Sequence, residues 1–151
     1  MKINLKPLAL VFTVKNLKDA AGTANGPVVR ILNKYTGDEG LLAHELEHVS
    51  QFWSVSFISL IVFSLIAYIL GWLEPFRWDV LFNIVAASIS VHSLGYLFYR
   101  PYRYWCEVEA YRVQLKYSTD KERDGKLFAS FIAGSYKLKT TEEEASNRLK
   151  L

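Results

Sequence analysis

Between Ser54 and Tyr99 the chain carries only three charged residues, Glu74, Arg77 and Asp79, and these sit side by side. They divide two apolar runs, Ser54–Leu73 and Val80–Tyr99. A helix needs about 20 predominantly apolar residues to cross the hydrocarbon of a bilayer, and both runs have that length. Serines in the first run can bond back to helix carbonyls or across to a second helix. The second run is more polar, with Asn83, Ser88, Ser90, His92 and Ser93. The Glu74-Pro-Phe-Arg-Trp-Asp79 segment between them reads as a short turn. Trp72, Trp78, Tyr96, Tyr99, Tyr102 and Tyr104 gather at the run ends, as aromatic belts do at lipid–water boundaries.

These features predict a transmembrane helical hairpin with both chain ends on one side. From Met1 to Thr36 the chain carries Lys2, Lys6, Lys15, Lys18, Arg30 and Lys34 against one acid, Asp19, and Arg100, Arg103, Arg112 and Lys116 follow the hairpin. By the positive-inside rule both termini are expected in the cytoplasm, at the inner or cytoplasmic membrane. Arg100, Arg103 and Arg112 read as interfacial anchors to lipid headgroups. The competing reading buries both helices in a soluble core, an oligomer or a larger particle. A domain of 151 residues has too much surface to cover two such runs on every face.

Composition narrows the rest. Hydrophobic residues make up 51% and charged residues 22%, which excludes a disordered tail or a charge-rich coiled coil. A net charge of +3 gives no electrostatic case for nucleic acid as a partner. The lone Cys106 excludes an intrachain disulfide framework. The apolar run Leu8–Phe12 is too short for a signal peptide.

The expected fold is a single α+β domain over residues 1–151, mostly α. Residues 1–37 are β-rich, with Pro7 interrupting, turn residues Gly22, Asn25, Gly26 and Pro27, and a short strand Val28–Leu32 closed by Asn33 and Gly37. A small β-ribbon follows from that pattern. Asp38 is the expected N-cap of a helix over 38–53, running through Leu41, Leu42, Leu46 and Val49. The hairpin takes 54–99, and 100–151 holds a returning helix and the C-terminal helices. Thr141-Glu-Glu-Glu144 has capping-box spacing for a last short helix to about Leu149.

One motif in this plan carries chemistry. His44-Glu-Leu-Glu-His48 is H-E-x-x-H. Residues four apart share a helix face, so both imidazoles can reach one Zn²⁺, while Glu45 is offset toward a water rather than the metal. That is the position of a general base beside metal-acidified water. The bland reading makes Glu45 and Glu47 a solvated helix face with surface histidines beside them. A catalytic zinc needs a third protein ligand. His92 lies deep in an apolar run, and Cys106 is geometrically awkward. Carboxylates of Cys106-Glu-Val-Glu-Ala-Tyr111 return to the side of the motif helix. On a helix Glu107 and Glu109 point about 200° apart, so only one of them can ligate.

His44-Glu-Leu-Glu-His-Val-Ser-Gln51, an apolar stretch and then Glu107-Val-Glu-Ala-Tyr111 together resemble the minimal gluzincin metallopeptidases over roughly 37–117. In some small bacterial and phage members a helical hairpin separates the two motifs. The resemblance implies zinc on His44, His48 and Glu107, with Glu109 as the alternative third ligand and Glu45 as general base. It implies a peptide or protein substrate hydrolysed at the cytoplasmic membrane face. The departure is Tyr111, where better-known members carry aspartate. Orientation of a ligand histidine then passes to Glu109 or Gln51. Tyr111 itself is either an oxyanion donor or a packed ring.

The strand Val28–Leu32 is expected to pair with an extended substrate as an exposed edge. So small a chain is expected to lack a deep specificity cleft, with a homo-oligomer or a protein partner completing the site. The rival function is a non-catalytic membrane or particle-associated interaction protein with a structural or vestigial metal site.

Overall fold

The computed structural model describes residues 1–18, 20–72, 77–135 and 138–149. An N-terminal sheet is built from β1 (Lys2–Leu5), β2 (Leu8–Val14), β3 (Gly22–Asn25) and β4 (Val28–Leu32). A single 3-10 turn, Asn33–Tyr35, leads into five helices: α1 (Glu39–Ile69), α2 (Trp78–Phe98), α3 (Arg100–Leu115), α4 (Lys121–Ser135) and α5 (Glu142–Leu149). The fold class is α+β, mostly α, as the sequence predicts.

The expected ribbon is larger than foreseen. Strand order is β1-β2-β4-β3, with β2 and β4 parallel and the outer pairs antiparallel. This order places β4 inside the sheet, paired on both sides. Val28–Leu32 therefore has no free edge for a substrate; the edge strands are β1 and β3. Gly22 and Asn25, read as turn residues, belong to β3, and the turn itself is Gly26–Pro27, with Gly26 at φ +56°. Ala9, Val29 and Ile31 face α1 and enclose Val49, with Leu41, Leu42 and Leu46 packed around them.

Asp38 caps α1 as expected, its carboxylate accepting the Leu41 amide at 2.8 Å. The helix then does not stop near residue 53. It runs unbroken through the motif and the first apolar run to Ile69, because no glycine, proline or competing cap lies between Glu39 and Leu70 beyond the first turn. At 1.5 Å per residue it is about 46 Å long, well over the roughly 30 Å of bilayer hydrocarbon.

Both α1 and α2 are long and apolar enough to cross a membrane. Only 22% and 17% of their most apolar stretches are buried, so neither is a core helix of this chain. Phe57, Ile61, Leu65, Phe82, Ile89 and Leu97 all stand exposed around the pair. The polar residues of the second run are accommodated. Ser88 and Ser90 donate to the carbonyls of Ile84 and Ala86, and His92 bonds the Tyr102 hydroxyl at 2.7 Å. Ile84, Ser88 and His92, spaced by four, form the buried face of α2. Leu73, which ends the first apolar run, and Glu74–Phe76 of the expected Glu74–Asp79 turn lie outside the described residues; Arg77 and Asp79 form an ion pair.

Past Tyr99 the chain turns sharply into α3, with Pro101 in its first turn. Arg103 donates to the Tyr96 and Leu97 carbonyls, both at 2.7 Å, covering orphan acceptors at the end of α2. Arg112 is likewise held by Glu109 and the Arg148 carbonyl. These two arginines thus serve the protein's own acceptors rather than standing free as anchors, whereas Arg100 is exposed. The C-terminal region forms two helices. Asp120 caps α4 by accepting the Arg123 amide, and Thr141 and Glu144 make the expected reciprocal capping box before α5. Both pack onto α3 around Tyr111, Leu115, Phe128 and the fully buried Ile132.

Ile132→Ala is expected to destabilise this clasp by about 2–5 kcal/mol, the usual cost of a large-to-small change in a packed core. Urea titration in detergent, followed by circular dichroism, measures it; a change below the usual scatter of surface mutants would contradict the packing described.

Candidate metal centre

Three helices deliver the site. Four-residue spacing on α1 puts His44 and His48 on one face, and α3 crosses that face with Glu107. His44, His48 and Glu107 each offer one ligand atom, all within 4.8 Å of one another. His44 Nε2 stands 3.9 Å from Glu107 Oε2, and His48 Nε2 stands 3.7 Å from Glu107 Oε1. Those separations are too long for hydrogen bonds. They suit atoms sharing a cation, since two ligands at about 2.1 Å in tetrahedral geometry lie roughly 3.4 Å apart.

Burial sharpens the point. Glu107 is 1% exposed, and its Oε2 has no hydrogen-bond partner. A carboxylate oxygen taken from water and left alone is costly, and a cation between the imidazoles would satisfy it. The residues present therefore form a group able to hold a metal. Glu109 does not join them; it bonds Arg112 at 2.6 Å on another face of α3.

The supporting residues come from all three helices. His48 Nδ1 meets Gln51 Oε1 at 3.1 Å, and Gln51 Nε2 donates to the Cys106 carbonyl at 3.1 Å. With its amide fixed this way, Gln51 Oε1 accepts a hydrogen bond from the Nδ1–H of His48 and leaves Nε2 free to ligate. Gln51, rather than Glu109, is thus the orienting group for His48. Beside His44 stands Gln114, absent from the sequence reading, whose side chain favours the charged imidazole against the stronger effect of burial. His44 Nδ1 and Gln114 Oε1 are both buried and neither has a hydrogen-bond partner. Tyr96 of α2, also missed, donates its hydroxyl to Glu107 Oε1.

Spacing carries a signal for both missed residues. Glu107, Tyr111 and Gln114 follow i, i+4, i+7 on α3, and Tyr96 continues the Ile84-Ser88-His92 stripe of α2. Tyr111 is packed, stacked on Phe128 at 4.8 Å with its ring edge-on to His44. Cys106 is fully buried, and His92 faces Tyr102 rather than the ligands.

Glu45 is 5% exposed, which removes the solvated-face reading for this residue. Burial pushes its carboxyl up to about 8, and the nearby Glu107 carboxylate adds to the shift. Burial, and then His48, hold His44 well below the usual imidazole range, so it is neutral and ready to ligate. Gly22 of β3 lies against Glu45. A Cβ there would fall 2.7 Å from Glu45 Oε1 and 3.0 Å from its Cγ.

Glu45 and His44 open onto a cavity of about 840 Å³ between the start of β3, the first turn of α1, α3 and α4. The expectation of no deep cleft is therefore corrected. The α4 helix and the loop before β3 build walls that the apolar pattern of the chain does not reveal. Its lining includes the apolar Tyr117, Leu127, Phe128 and Phe131 and the acidic Asp38, Glu39 and Asp124. Compared with known family models, curated proteins and solved structures, the chain matches none.

If Gln51 orients His48, Gln51→Leu should weaken binding of a divalent probe such as Co²⁺ by about 10–100-fold. Chelator-competition titration, read by Co²⁺ absorption, measures this; unchanged affinity would remove Gln51 from the site.

Proposed function

We propose that the chain is a membrane-anchored zinc metallopeptidase of gluzincin type, with zinc on His44, His48 and Glu107 and Glu45 as general base. The observation that carries the reading is the convergence of two imidazole Nε2 atoms on a buried carboxylate with an unpartnered oxygen, beside a second buried carboxylate that lines a cavity. Three ligands among the described residues, rather than four, fit the pattern of a catalytic site. When bound, zinc supplies a Lewis acid that acidifies water and polarises a carbonyl.

The chain's own residues supply the rest. Glu45 takes a proton from the attacking water as a carboxylate and passes it to the leaving amine; burial and the Glu107 carboxylate oppose its ionised form, and a cation held by Glu107 would offset the second of these causes. Tyr96 and Gln51 hold the ligands in place. An extended peptide pairs with the free edge of β3, where Gly22 brings backbone against Glu45 without a side chain between them. The peptide's side chains lie in the cavity. The apolar, exposed hairpin supports a seat in lipid, and the excess of Lys and Arg outside it favours a cytoplasmic site by the positive-inside rule.

Metal analysis of purified protein tests the ligand set. Wild type and Glu45→Gln are expected to hold about one zinc per chain, as is Glu109→Ala, while His48→Ala and Glu107→Ala lose it. Wild type alone among Glu45→Gln, His48→Ala and Glu107→Ala should hydrolyse a mixed peptide library. Zinc without hydrolysis would leave a structural metal site, and folded wild type that takes up no zinc would end the proposal.

Gly22→Ala provides a separate check on the base. The added methyl displaces the Glu45 carboxylate, so peptide hydrolysis should fall by about 10²-fold, the scale for misplacing a catalytic group by an ångström. Zinc content should stay unchanged.

A further inference from the structure

The sheet has two faces, and only one of them is explained by the fold. Ala9, Val29 and Ile31 point to α1. Register puts Ile3 opposite Leu10 and Leu5 opposite Leu8, so these four side chains share the other face. They are exposed to 61%, 36%, 76% and 54% respectively. Four large aliphatic residues on one exposed sheet face, at the edge formed by β1, are an aggregation hazard unless something covers them.

Their height along the bundle identifies what does. Trp53 donates its indole N–H to the Leu8 carbonyl at 2.9 Å, and the Gly26 turn lies on the Phe52 ring. Both membrane-proximal turns of the sheet are thereby tied to residues 52 and 53, one step before the first apolar run. On the facing helix the Phe52 ring meets His92 at 5.9 Å, and the His48 ring meets Tyr96 at 6.0 Å. α2 continues beyond His92 to Phe98, about 9 Å more of helix, with Leu94, Leu97 and Phe98 exposed. Its full 21 residues give roughly the 30 Å needed to span the hydrocarbon. The apolar band on α2 thus rises past the level at which Leu5 and Leu8 are held.

We propose that the outer face of the β1–β2 hairpin is a third membrane contact, with Ile3, Leu5, Leu8 and Leu10 seated in the lipid interface beside the two helices. Lys2 and Lys6 lie in the same hairpin and suit anionic headgroups. The contact holds the sheet, and with it the β3 edge and Glu45, close to the bilayer surface, where a membrane-associated polypeptide is the substrate presented. This inference rests on the reading of α1 and α2 as spanning helices, and the test separates the two.

The full chain is reconstituted in phosphatidylcholine–phosphatidylglycerol vesicles with an environment-sensitive fluorophore on Leu5→Cys, Phe82→Cys or Lys34→Cys. Cys106 is fully buried and stays in place. Emission from positions 5 and 82 should shift to the blue and be quenched by nitroxide-bearing lipids, while position 34 is quenched by aqueous iodide. Lipid quenching at 82 with iodide quenching at 5 would overturn the third contact and leave the hairpin in place. Iodide quenching at 82 as well would overturn both. Protection of position 5 from both quenchers, released when the protein is diluted in lipid, would show a second copy on this face and overturn the lipid assignment.

Discussion

A carboxylate with almost no access to water organises this protein. Glu107 is 1% exposed, and isolating an ionised group to that degree costs several kcal/mol unless partners surround it. The partners come from every major helix: His44 and His48 from α1, Tyr96 from α2, with Glu107 itself on α3. None of these helices can shift without leaving polar atoms stranded. The crossing of α1, α2 and α3 is therefore specified by polar satisfaction as much as by apolar packing. The sheet and the α4–α5 clasp then close around that crossing.

The length of α1 joins two stretches of different chemistry in one helix. Its first half carries the histidines, Glu45 and the sheet-facing leucines, and its second half is nearly all apolar. A continuous backbone ladder joins them, so the orientation of the site follows the tilt of the helix. β3 adds a second rigid element beside Glu45, with Gly22 allowing the close approach. Loops thus contribute little to placing the candidate chemistry, which suits a site needing sub-ångström positioning.

Much of this was legible in the sequence because it is periodic. Four-residue spacing announced the histidine pair, length announced the two apolar helices, and Asp38 and Thr141 marked helix starts through local hydrogen bonding. The returning Glu107 was narrowed to two candidates by helix geometry, and the full burial of Glu107 beside the histidines, with half-buried Glu109 paired to Arg112, separates them. What escaped is non-local. The parallel pairing of β2 with β4 depends on a crossover that strand patterns do not encode. Tyr96 looked like an interfacial aromatic, and its bond to Glu107 appears only when α2 and α3 are folded back on each other. Arg103 read as a lipid anchor for a similar reason, since the carbonyls it covers become available only at the end of α2. The cavity needs α4 and the approach to β3 brought around one space, and these segments lie about a hundred residues apart in sequence.

Tyr96 also changes what the hairpin is for. An apolar anchor can in principle be exchanged for any other of equal length, and the water-side portion of such a protein can be produced without it. Here the last turns of α2 stand over Glu107 and supply its hydrogen-bond donor. Cutting away the hairpin, or replacing it with a generic span, would flood the carboxylate with water and release the helix that carries it. The apolar hairpin and the site are one folding unit, so the smallest portion of this chain that can retain the arrangement includes both apolar helices.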